Sequence, residues 1–242
     1  MMMSFATPEW DLSLFFLLND TWRSGVLDVA MPLFSNSLLV WGIAVACFAV
    51  AGWRSRRWKP LLAGLVLVAL AAGAGDLTCN VLKKEFGRVR PHNAMAGVRY
   101  VEDGQWQQRA ADFVPQKSRG NSYVSAHAAN SVAAAGMAVL LWPRLRLLWL
   151  LPLLIGYSRV YLGKHYPTDV LGGWLTGAAV LLVLWPLVPR LVLDFVRGVS
   201  QRSEAGSQDD VSGQVSGQVS GQVPKQASEQ APDNTAGVIT GS

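Results

Sequence analysis

Three short stretches of this chain hold side chains whose types and spacing could do chemistry. In YSRVYLGKHYPTD, His165 stands four residues before Asp169, and Pro167 suits the first turn of a helix that would begin just after the histidine. A carboxylate at that spacing can accept the imidazole Nδ1–H, which leaves Nε2 as a nucleophile and stabilises the cation formed on attack. Arg159, six residues upstream, offers a planar fork that matches phosphate oxygens. In NSYVSAHAAN, Ser125 is a candidate helix N-cap that puts Ala126 and His127 in the first turn, where free backbone N–H groups attract an anion. In DLTCNVLKKEFGRVRP, Asp76, Asn80 and Lys83 follow one another at i, i+4 and i+7 along one helix face, and Pro91 stops the helix just past Arg90.

Each stretch also has a plainer reading. His165 and Asp169 could be a surface pair, with Arg159 and Lys164 anchoring to lipid headgroups. Ser125 could be an ordinary cap followed by a boundary histidine, and Lys83 and Arg90 could be basic residues snorkelling from a span end. What favours chemistry is the coincidence. Three basic residues, two histidines, one helix N-terminus and one carboxylate would all have to reach the same face by accident.

The elements that must position them are membrane helices. The chain has 242 residues, 51% hydrophobic and only 15% charged, against about a quarter charged in an ordinary soluble domain. About twenty apolar residues cross a bilayer as a helix, and five stretches qualify: Leu33–Trp53, Leu61–Leu82, Ala126–Trp142, Leu145–Leu162 and Val170–Val188. The third is rich in small residues, which suits close packing inside a bundle. The run Leu12–Leu18 is too short to span and reads as an interfacial helix, although a sixth, tilted span stays open. The expected fold is all-α, an integral membrane bundle of five or six transmembrane helices.

Orientation follows from the short loops. Arg54, Arg56, Arg57 and Lys59 lie between the first two stretches, Arg144 and Arg146 between the third and fourth, and Arg190 and Arg197 after the fifth. These fall on one side, which the positive-inside rule makes cytoplasmic. The end of the second stretch, the long loop 92–123 and the turn before the fifth then share the outward side with nearly every candidate residue. The loop, with Arg99, Tyr100, Trp106, Arg109, Phe113, Lys117 and Arg119, either caps the site and reads a headgroup or is an ordinary surface loop.

The organisation expected is an N-terminal segment 1–32, a membrane domain 33–198 and a tail 199–242. The tail repeats VSGQ three times from Val211, has no aromatic residue and cannot offset its ordering entropy, so it is expected to be a disordered cytoplasmic segment. It holds two basic and five acidic residues, which leaves the rest of the chain at +8 against the formal +5 of the whole. Such an excess suits an anionic or phosphorylated partner; nucleic acid is disfavoured because the basic residues border apolar spans. Cys47 and Cys79 stand alone in apolar stretches, which argues against a disulfide or zinc site, and the N-terminus lacks the pattern of a cleaved signal peptide.

The three stretches together resemble the type 2 phosphatidic acid phosphatase family, whose motifs are Lys-x6-Arg-Pro, Pro-Ser-Gly-His and Ser-Arg-x5-His-x3-Asp. The matching residues are Lys83 with Arg90-Pro91, then Ser125-Ala126-His127, then Ser158-Arg159 with His165 and Asp169. Val124 and Ala126 stand where the family has Pro and Gly; Ala keeps the backbone N–H but adds a methyl and disfavours positive φ. The resemblance covers roughly residues 33 to 188. It implies a metal-independent, cofactor-free membrane lipid phosphatase with its site at the periplasmic end of the bundle in a bacterial inner membrane.

By the same resemblance, His165 is the nucleophile, Asp169 orients it and His127 is the general acid. Lys83, Arg90, Arg159 and the backbone near Ser125 and Ala126 bind phosphate. The substrate expected first is undecaprenyl diphosphate, with phosphatidylglycerophosphate, phosphatidic acid and lipid A phosphates as rivals. A transporter for anionic solutes is the reading from another class, but no paired repeat with interrupted midplane helices is present.

Overall fold

In the computed structural model the described residues are 7–186, so the tail expected at 199–242 lies outside them. Helix α1 (Glu9–Phe16) runs into a single π-helical turn (Leu17–Thr21). Helix α2 (Gly25–Ser35) starts at Ser24, whose Oγ accepts from Leu27 N–H at 3.3 Å. Helix α3 (Ser37–Ser55) follows a break at Asn36, where ψ is 100° and the side-chain oxygen caps the new helix by accepting from Leu39 N–H at 3.2 Å. The first apolar stretch, expected as one helix from Leu33, is therefore divided between α2 and α3: Asn36 favours capping over continuing.

Helix α4 (Trp58–Phe86) is the longest at 29 residues and ends on Gly87 at φ +60°, the left-handed closure that glycine adopts without strain. A short turn, α5 (Pro91–Ala94), leads to an antiparallel hairpin of β1 (Arg99–Glu102) and β2 (Gln105–Gln108). Asp103 and Gly104 make its turn with positive φ at both, so the outer loop carries a small sheet and the fold is mainly helical rather than all-α. Helix α6 (Ala126–Leu141) matches the third stretch. The fourth does not form one helix. A 3-10 segment (Pro143–Trp149), with Leu145 out of helical geometry, precedes α7 (Leu150–Tyr161), because Pro143 interrupts the backbone ladder just after α6. Helix α8 (Pro167–Leu184) completes the described chain.

Among the described residues three helices, α3, α4 and α8, are long and apolar enough to cross a membrane. Their exposed large residues, among them Leu38, Trp53, Leu70, Leu77, Leu175 and Leu182, would be costly in water and suit lipid. Helix α6 has 16 residues and α7 has 12, both under the usual span length. Helix α6 is instead enclosed by its neighbours: its Ala128, Ala129, Val132, Ala133, Ala135 and Met137 are all buried.

Small residues allow this enclosure. A Cβ on Gly173 would lie 2.4 Å from the carbonyl oxygen of Ser125, and one on Gly177 would lie 2.4 Å from that of Ala129. Two glycines one turn apart thus bring the backbone of α8 against α6, the kind of contact that holds membrane helices together without a water-driven hydrophobic force. Helix α1 is also drawn in. Phe15 is fully buried and packs with Val98, Ala128, Val160, Tyr166 and Val170, so this face of α1 meets protein.

Candidate active site

Six chain segments converge at one end of the bundle. The strand-like run after Gly87 carries Arg88 and Arg90 across the head of α8. It is anchored by Gly120 N–H donating to Gly87 O at 2.9 Å and Ser122 N–H donating to Arg88 O at 2.9 Å. The start of α6 is tied to the start of α8 by Ser125 N–H donating to Asp169 O at 2.9 Å. Between α7 and α8 the chain turns sharply at Gly163, where φ is +65° and a Cβ would lie 2.5 Å from Arg99 O; no other residue fits there. Lys164 N–H and His165 N–H both donate to Arg159 O, at 3.0 and 3.2 Å, which points His165 inward at 2% exposure.

Asp169 is held on all sides. Its Oδ2 accepts from Ser122 Oγ at 2.5 Å and Tyr166 N–H at 2.9 Å, and its Oδ1 accepts from Arg88 at 2.6 Å. His165 Nδ1 lies 3.5 Å from Asp169 Oδ2, a contact longer than a strong hydrogen bond but placed to orient the ring. Arg88 also donates to Asp11 at 2.7 Å and stacks its guanidinium 3.7 Å over the Tyr166 ring. Thr168 donates through its backbone N–H and its hydroxyl to the same Asp11, at 2.9 and 2.6 Å. Asp11, Arg88 and Asp169 form a buried charge chain that fixes the histidine loop to α1 and to the segment after α4.

The other expected residues face this frame. Lys83, Arg90, Arg159 and His165 are all close enough to act electrostatically on His127. Arg159 is 8% exposed and donates to Ser35 Oγ. Ser125 occupies the N-cap of α6, as its position suggests, but its side chain makes no capping bond. Three polar atoms here are buried without a protein partner: Arg90 Nε, Arg159 Nε and Ser125 Oγ. Buried polar groups are normally satisfied, so this concentration marks a place built to meet a polar ligand. The cations and the N-terminus of α6, to which Ala126 belongs, give this place a charge that suits an anion.

Burial pulls the His165 pKa down to about 4, against the smaller opposing pull of Asp169, so the imidazole is neutral near pH 7 with an available lone pair. Burial also lowers Lys164, whose ammonium donates to Val101 O at 3.0 Å and fastens the hairpin beside the histidine turn. His92 Nδ1 lies 2.9 Å from Gly163 O and its ring stacks on Tyr100. It braces the turn.

The residues that sequence reasoning missed are the supports: Asp11, Arg88, Ser122 and Thr168. Asp11 carried a faint signal, a carboxylate directly before the apolar run that starts at Leu12. Arg88 had none, since it is one of several cations in KKEFGRVR.

Comparison with known proteins shows the family and the fold. The family profile of the PAP2 superfamily matches residues 62–193, more than half of the chain. The crystal structure of Aquifex aeolicus LpxE superposes with a TM-score of 0.52 at 23% identity, covering 75% of this chain and 98% of that one. The lipid A 4'-phosphatase of Bacteroides thetaiotaomicron is 29% identical over 160 residues, 62% of this chain. The chain spans 64% of that relative's length. YbjG of Escherichia coli K12, provisionally named an undecaprenyl-diphosphatase, is 28% identical over 170 residues, 69% of this chain and 77% of its own. This chain belongs to the PAP2 superfamily of multi-pass membrane phosphatases, a family that works without a metal.

Proposed function

We propose that the protein hydrolyses a phosphomonoester or diphosphate of a membrane lipid through a phosphohistidine on His165. The observation that carries the reading is the cluster of buried, unpartnered Arg90, Arg159 and Ser125 atoms around the neutral imidazole of His165. The His165 Nε2 lone pair attacks phosphorus and forms the N–P bond as the P–O bond to the lipid breaks. His127 gives its proton to the departing oxygen. Water then attacks phosphorus, His127 takes the water's proton, and the N–P bond breaks to release inorganic phosphate and restore His165. Lys83, Arg90, Arg159 and the first N–H groups of α6 stabilise the charge on the equatorial oxygens. A ring of cations repels a divalent metal, so the reaction is expected to run in EDTA.

Undecaprenyl diphosphate is the substrate proposed first, in line with the resemblance to YbjG. A lipid A phosphate is the second, in line with the Bacteroides relative. The basic loops support a site on the outward face, the periplasmic side of a bacterial inner membrane, in a bundle of five or six spans. One experiment tests chemistry and side together: phosphate release in EDTA from a panel of lipid phosphates and diphosphates, by purified protein and by sealed spheroplasts given substrate outside. Release by wild type in both formats, absent from His165→Ala, supports the reading. Equal release by His165→Ala contradicts the mechanism, and release only after permeabilisation contradicts the orientation.

A further inference from the structure

Below the phosphate cluster lies a cavity of about 300 Å³ whose lining joins α2 and α3 to α4, α6 and α7. Its wall is mostly apolar, with Val40, Trp41, Phe48 and Ile155, and His127 stands in it, so it is continuous with the site. Among the polar side chains of the same wall that the mechanism does not use are Asp76 and Asn130. Asp76 is seven residues before Lys83 on α4, about 10 Å deeper along the helix, and Asn130 is three residues beyond His127 on α6, about 4.5 Å deeper. A carboxylate at that depth is costly and calls for a reason.

Its protein partners satisfy only part of it. Asp76 accepts from Asn80 Nδ2 at 3.0 Å and, at the long distance of 3.5 Å, from Asn130 Nδ2. A carboxylate has room for about four hydrogen bonds, so acceptor capacity remains beside the cavity. The side-chain oxygen of Asn130 is itself buried without a partner. The pair is therefore rich in acceptors and poor in donors, one step inward from where phosphate would sit.

We propose that Asp76 and Asn130 form an acceptor subsite that selects phosphorylated lipids carrying a hydroxyl or amide N–H close to the phosphate, with the lipid's chains in the apolar cavity. This rests on the lipid-phosphatase reading and narrows it, moving undecaprenyl diphosphate from the first substrate to one that leaves these acceptors unmet. Diester lipids and polyprenyl phosphates present esters or bare hydrocarbon at that depth and leave the acceptors unmet. A lipid with an amide-linked or hydroxylated chain satisfies them. Failure to match a buried acceptor discriminates more strongly than a small change in apolar contact.

A matched pair of phosphomonoesters isolates the effect: ceramide 1-phosphate, which has an amide N–H and a hydroxyl, and phosphatidic acid, which has neither. Both are presented in the same mixed micelles at equal chain length. Wild type is expected to favour ceramide 1-phosphate in kcat/KM by about tenfold or more, and Asp76→Asn and Asn130→Leu each to lower that ratio several-fold, whatever loss is common to both lipids. If Asp76 and Asn130 merely clamp α4 to α6, the variants will lower melting temperature and both activities with the ratio unchanged, which overturns the subsite. Equal use of the two lipids by wild type overturns it as well while leaving the phosphatase reading intact. No release by wild type from these or any other lipid phosphate overturns both.

Discussion

The nucleophile role proposed for His165 needs a neutral imidazole, and burial is what keeps it so. An unfolded histidine titrates near 6.5, whereas folded His165 titrates at about 4. Between those values the unfolded chain holds the extra proton, so His165 makes stability fall as pH drops from 6.5 toward 4 and costs nothing above 6.5. The melting temperature of the detergent-purified protein should decline over that window, and His165→Gln should flatten the decline. Parallel curves for the two proteins would show that the histidine is not buried neutral. Arg88 makes a second claim at this scale. It is paired with two carboxylates, Asp11 and Asp169, each with a side chain fully out of solvent. Removing it would leave both charges uncompensated, so Arg88→Ala should destabilise by roughly 3–5 kcal/mol, read by thermal melting, and should lower activity. An unchanged melting point would mean that the charge chain does not hold the histidine loop. The motif residues could be singled out because the chemistry proposed for them limits their types and spacing. Arg88 and Asp11 could not, since their partnership spans 77 residues and only folding brings them together.

Among the elements, the contact between α6 and α8 matters most, because it sets Ser125 against Asp169. Gly177→Val places atoms against the Ala129 carbonyl and must part the helices; it is expected to cost about 1–3 kcal/mol and most of the activity. Gly73 on α4 has nothing within 4 Å of an added Cβ, so Gly73→Ala should leave activity and melting unchanged or slightly improved. Equal effects of the two substitutions would refute close packing as the reason for the glycines. Hydropathy made α4, α6 and α8 legible, with ends within a few residues of those observed. It failed at the first and fourth stretches because it averages over breaks: Asn36 and Pro143 act through one capping oxygen and one missing N–H. The hairpin was hidden for a related reason. Its strands have four residues each, and the Asp103–Gly104 turn lies in a loop whose polar composition says little about pairing.

For the whole molecule, the structure places a charged, largely buried centre at one end of an apolar bundle, with a cavity leading from it among the helices. That arrangement suits the proposed substrate, whose phosphate would meet the charged centre while its hydrocarbon stays among helices. The central claim concerns one bond, between phosphorus and His165 Nε2. Wild-type protein mixed with a substrate labelled in its terminal phosphate and quenched in alkali, where phosphohistidine survives, should carry label on the peptide that contains His165. His165→Ala should carry none and release no phosphate. Label on another residue, or full turnover by His165→Ala, would contradict the account.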